Sequence, residues 1–195
     1  VADDGIKMEA ATLTSTNTSA DGSWVGQSQT YTNSYSAPVV LGQVMTYNDA
    51  DWSVFYASQL DARKPPTTTL FYVGKHVGED PDTTRSDETI GYIVIEAGTG
   101  TLGGLEYDAA VGSRATKGWG DSPPYSYSHA VSAATSAILS SAGIDNKDDG
   151  DWPVLVEPSP VSGTDFNLVA QEDQEDDAEV KLGPKKEAIA YIVFE

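Results

Sequence analysis

A chain of 195 residues with 30 acidic against 11 basic side chains carries a formal net charge of −19. That balance argues against nucleic acid and anionic membrane surfaces as partners, because phosphate binding needs clustered Lys and Arg. With no cysteine, disulfides, thiolate zinc sites and a Cys nucleophile are excluded. No apolar run approaches the roughly 20 residues of a membrane helix.

Val1-Ala2-Asp3-Asp4-Gly5 reads as the start of a mature chain after leader removal, or as a cut within a longer one. Short runs rich in Val, Ile, Thr and Tyr then follow one another, separated by Gly, Pro, Asn, Asp and Ser. This is the pattern of an all-β sandwich or barrel. Strands are expected at Ile6–Thr14, Gln27–Tyr35, Val39–Tyr47, Ser53–Gln59, Thr67–His76 and Ile90–Glu96. Ala97 to Gly104 reads as a short glycine-rich link. Beyond it, strands are expected at Gly104–Ala110, Tyr125–Ala130, Ser136–Ser141, Pro153–Val156, Asp165–Gln171 and Ile189–Glu195. Alanines give 130–142 some helical propensity, but its counterpart Ala37–Val44 is plainly strand-like, so it too is expected to be a strand.

The chain says one thing twice. Glu88-Thr89-Ile90-Gly91-Tyr92-Ile93-Val94-Ile95-Glu96 recurs as Glu187-Ala188-Ile189-Ala190-Tyr191-Ile192-Val193-Phe194-Glu195, six of nine positions being identical. Upstream, Asp49-Ala50-Asp51-Trp52-Ser53-Val54 recurs as Asp149-Gly150-Asp151-Trp152-Pro153-Val154. Two landmarks in the same order imply duplication of a folding unit. The expected architecture is all-β, with two tandem antiparallel β-sandwich repeats at 1–98 and 99–195 and about six strands in each. The uninterrupted apolar run Tyr92-Ile93-Val94-Ile95 suits a strand covered on both faces.

Catalytic signals are sparse. His76 and His129 match neither each other nor any ligand spacing, and no nucleophile elbow, phosphate loop or dinucleotide fingerprint occurs. The expectation is therefore a non-enzyme. The acidic stretches Glu79-Asp80-Pro81-Asp82, Asn48–Asp51, Asp145–Asp151 and Glu172–Asp177 are either turns or calcium loops. Asp and Asn favour turns and also supply the oxygens calcium needs. Asp80, Asp82, Asp149 and Asp151 are the metal-ligand candidates, with calcium the only cofactor expected. Trp52 and Trp152 follow Asp-x-Asp, and an aromatic plane beside a carboxylate is what a sugar site uses. Both tryptophans are candidate stacking platforms, or else core plugs. Asp51 and Asp151 are candidate hydroxyl acceptors and Tyr47 a further ligand contact.

Ala37-Pro38-Val39-Val40-Leu41-Gly42-Gln43-Val44, taken with the later closing strand Ile90–Ile95, resembles the layout of the H-type lectin domain. The segments Val44–Tyr56, Val73–Glu96 and Asp149–Glu195 are similar, too, to tandem modules at the ends of large secreted bacterial and archaeal proteins. The resemblance implies a compact six-stranded antiparallel sandwich, N-acetylgalactosamine-type binding and trimers. No site motif carries over, and two fused copies depart from a single-domain trimer. The combined expectation is a secreted carbohydrate-binding or adhesion module that is calcium-assisted. It would have a glycan or polysaccharide partner and would form homo-oligomers. The rival is a structural subunit of an extracellular surface layer or fibre.

Overall fold

The computed structural model describes residues 5–174 and 178–195. Val1–Asp4 and the acidic positions 175–177 lie outside the described residues. The chain is all-β. In order the strands are β1 (Met8–Ser15), β2 (Thr18–Ser19), β3 (Gln27–Gln29), β4 (Pro38–Val44), β5 (Val54–Ser58), β6 (Phe71–His76) and β7 (Glu88–Glu96). They continue with β8 (Gly98–Leu102), β9 (Leu105–Val111), β10 (Tyr125–Ser128), β11 (Ser136–Ala142), β12 (Asp151–Leu155), β13 (Val161–Ser162), β14 (Asp165–Glu172) and β15 (Ile189–Phe194). Among the described residues no helix is long and apolar enough to cross a membrane.

The two greasy strands are both central. β7 lies between β1 and β4, and β15 lies between β9 and β11, all antiparallel. Their registers correspond: Ala11 and Gly42 flank Tyr92, while Ala110 and Leu139 flank Tyr191. β6 takes β3 and β5 as neighbours, and β14 takes β10 and β12. The halves are stitched where β5 and β11 run parallel, with Tyr56 opposite Ser141 and Ala57 opposite Ala142.

Side-chain alternation along these strands builds three cores. Ile90, Tyr92 and Val94 point into the first half, with Phe55, Phe71 and Val73. Ile189, Tyr191 and Val193 point into the second, with Tyr127, Phe166 and Leu168. The opposite faces, Ile95 with Val39 and Leu41, and Ala190 with Ile192 and Ala109, meet in a shared core between the halves. A strand with apolar contacts on both faces needs no polar alternation, which accounts for the unbroken apolar run.

Of the stretch 130–142, residues 136–142 are strand, as the repeat implies and as their alanine content does not, while 130–135 are turn and irregular backbone. The expected link at 97–104 is different. Gly98–Leu102 forms β8, which folds back on β9 with Leu102 opposite Leu105. Gly103 and Gly104 both have positive φ, 61° and 91°, the backbone a two-residue hairpin turn demands. Gly103 and Gly104 therefore make a turn inside a sheet, and the rest of the short join is itself largely strand.

Candidate functional site

The repeated glutamates stand at the first residue of β7 (Glu88) and two residues before β15 (Glu187, bridged to Thr116), and each pins an Asp-rich loop. Glu88 accepts hydrogen bonds from the backbone N–H of Asn48 (2.8 Å) and Asp49 (3.0 Å) and from the Thr46 hydroxyl. Glu187 accepts from the N–H of Asp145 (2.8 Å) and Asn146 (2.9 Å). Each pinned loop leads into Asp-x-Asp-Trp. The second is also clamped from the first half, where the Trp24 indole N–H donates to the Lys147 carbonyl at 2.8 Å. The result brings Trp52 and Trp152 together, ring centroids 5.4 Å apart and planes tilted by 58°. Both are half-buried. They border an open cleft of about 310 Å³ whose other wall is Gln171, Glu172, Asp173 and Gln174.

Below the second tryptophan lies a buried acidic group. Asp151 is fully buried, and Glu187 and Glu172 are nearly so. Asp151 stands opposite Glu172 on the β12–β14 ladder. Neither carboxylate oxygen of Asp151 meets a hydrogen-bond donor. The neighbour it does reach is the Glu187 carboxylate, an acceptor like itself, so this contact is satisfied only with a proton or a cation between the two. Burial, then the charges of Glu187, Glu172 and Asp149, pushes the Asp151 pKa well above the usual carboxylate range. Burial also raises Glu187, outweighing its two backbone N–H bonds. Glu172 is raised to about 7 by burial and by the charges of Glu179 and Asp149, against the Asn146 amide bond at 2.9 Å.

The neighbouring His76 is fully buried with neither ring nitrogen paired, and burial lowers its pKa to about 3. Its ring lies against Trp24, Tyr56 and Trp152, so it is a neutral packing group and not a surface base.

The sequence candidates fall into different places. Trp52 and Trp152 come together as a pair, each covering part of the other, so neither offers a wholly free platform. Asp51 is exposed, and its N–H donates to Asp49 Oδ1 at 3.2 Å. Its counterpart Asp151 is sealed from solvent, which removes it as a hydroxyl acceptor for a surface sugar. Tyr47 is 77% exposed, and its hydroxyl donates to the Ala50 carbonyl at 2.6 Å.

Asp80 and Asp82 belong to a structural turn. Asp80 Oδ2 pairs with the buried Arg85 guanidinium at 2.5 Å, Asp80 Oδ1 accepts the Asp82 N–H at 2.8 Å, and Asp82 Oδ1 accepts the Thr84 N–H at 2.9 Å. Arg85 thus neutralises Asp80 inside the turn, while the Asp82 carboxylate meets the Thr84 N–H. Asp149 stays beside the acidic group and its N–H donates to the Asn146 carbonyl at 3.2 Å. Sequence reasoning missed Glu187 and Glu172 as partners of Asp151. The signal available was the repeated Glu at the head of each closing strand.

Among the described residues no three acidic or histidine side chains form a ready-made metal cage. No protein-family model matches the chain, and no curated protein and no solved structure does either.

Proposed function

We propose that the chain is a secreted, non-catalytic carbohydrate-binding or adhesion module built as two tandem β-sandwich repeats, 1–98 and 99–195. The observation that carries this reading is the Trp52–Trp152 pair at the mouth of a cleft walled by amide and carboxylate side chains. Indole faces pack on the C–H faces of a sugar ring, and the exposed Gln174 offers a hydroxyl partner. No match stands behind the H-type lectin resemblance, so the tryptophan pair bears the proposal alone.

Saturable binding to a glycan array or an insoluble polysaccharide is the expected result. It should fall at least tenfold in Trp52→Ala and in Trp152→Ala, with each variant's melting curve still cooperative. Wild-type protein that retains no glycan sinks the reading.

One observation favours the rival, a structural subunit that assembles through lateral contacts. β1 is an edge strand in its sheet, and beside it lies an apolar groove of about 610 Å³ lined by Ala10, Leu41, Met45, Ile93 and Ile138. An open edge next to apolar surface is a ready contact for another sheet. For that rival, light scattering shows mass growing with concentration; a constant monomer mass rejects it.

A further inference from the structure

The halves bury the same glutamate in opposite company. In the first, Lys75 is fully buried on β6, its ammonium donates to the Ser86 carbonyl, and its charge acts on Glu88. Lys75 stands opposite Phe55, and the matching pair in the second half is Leu155 opposite Leu168. Where the first half has an ammonium, the second has an apolar side chain. It has nonetheless gained a second buried acid: Asp151 is sealed, while Asp51 lies in solvent.

We propose that the second half holds a calcium-class divalent cation between Asp151 and Glu187, with Glu172 beside them on the ladder, doing there what the Lys75 ammonium does in the first half.

The cation is called for because a buried carboxylate without a partner is among the costliest groups a fold can carry. Asp151 is 0% exposed, no donor meets either of its oxygens and its one side-chain contact is the Glu187 carboxylate, while Glu172 Oε2 is buried and unpaired. The nearby basic groups are committed elsewhere. Lys185 contacts Asn146 Oδ1 (2.7 Å) and Asp148 (3.4 Å), Lys147 pairs with Asp148 (2.9 Å), and Arg114 pairs with Asp145 (3.3 Å). Among the described residues no Lys or Arg forms an ion pair with Asp151, Glu172 or Glu187.

All-oxygen donors select a hard cation. Carboxylates carried on separate segments of the chain suit the adaptable shell of calcium better than the strict octahedron of magnesium. Because no three side chains close a cage among the described residues, the rest of the shell would fall to water. The site stands whether or not a glycan binds.

The test uses the full chain stripped with a chelator and returned to CaCl₂, with TbCl₃ as a second probe. One Ca²⁺ per chain is expected, with a rise in Tm that NaCl of equal ionic strength does not reproduce. Tb³⁺ emission sensitised by the adjacent Trp152 should appear and be displaced by Ca²⁺. Asp151→Asn should lose both responses while melting, without calcium, no lower than the stripped wild type. Glu187→Gln serves if that variant does not fold, and the wild-type stoichiometry and Tb³⁺ signal decide the matter if neither folds. A stripped wild type indifferent to Ca²⁺, a missing Tb³⁺ signal, or an Asp151→Asn protein that keeps the full calcium response overturns the proposal.

Discussion

Glu88 and Glu187 hold the same position in their halves and perform the same local task, yet their protonation is biased in opposite directions. Burial works against both carboxylates. At Glu88 it is outweighed by hydrogen bonds from Thr46, Asp49 and Asn48 together with the charge of Lys75, so its pKa falls below the usual range. At Glu187 two backbone N–H bonds do not offset burial, and its pKa rises. The lesson is that a duplicated landmark preserves backbone geometry more faithfully than electrostatics. The N–H bonds depend on the loop and strand that the landmark itself encodes. The compensating charge comes from a different strand, free to change between copies.

The largest expected effect comes from giving the first half the second half's residue. Lys75→Leu removes the ammonium whose charge acts on Glu88 and leaves the Ser86 carbonyl without that donor, which should cost about 1–3 kcal/mol, the penalty for a buried polar group left unpaired. Urea denaturation at neutral pH measures it. A variant as stable as wild type would show that the backbone N–H bonds suffice for Glu88, and the contrast with Glu187 would lose its meaning.

A smaller effect separates the halves by pH. Val169 stands opposite Val154 where His76 stands opposite Val54, so only the first half has a titrating ring there. The folded pKa of His76, about 3, lies below the ordinary 6.5 of an unfolded chain. The unfolded state therefore takes the proton first. Stability from this group is complete above pH 6.5 and drains away as pH falls toward 3, by about 1.4 kcal/mol for each pH unit. His76→Phe should flatten that slope in denaturation curves between pH 6.5 and 4.5. Equal slopes in wild type and variant would mean that His76 is not held neutral in the fold.

The difference at Asp51 and Asp151 also bounds what could be read before folding. Asp-x-Asp-Trp is the same string in both halves, and it located the junction where Trp52 and Trp152 meet. Nothing in the string tells which aspartate is sealed. That depends on Glu172, opposite Asp151, and on the clamp of Trp24 over Lys147, partners 21 and 123 residues away in the chain. The partner of Asp80 was hidden for a similar reason: Arg85, five residues on, turns its guanidinium back into the same turn.

The amino-acid order was enough to establish an all-β chain, two central apolar strands and the strand character of 136–142, because side-chain periodicity and an internal repeat are local or self-referential signals. It did not reveal that Gly98–Leu102 becomes a strand, since a glycine-threonine run acquires that conformation only when β9 offers it an edge to pair with. Nor did it reveal which carboxylates are buried together. Burial and charge balance are sums over neighbours delivered by distant strands, and those neighbours exist only once the registers of β5 with β6 and of β12 with β14 have been set.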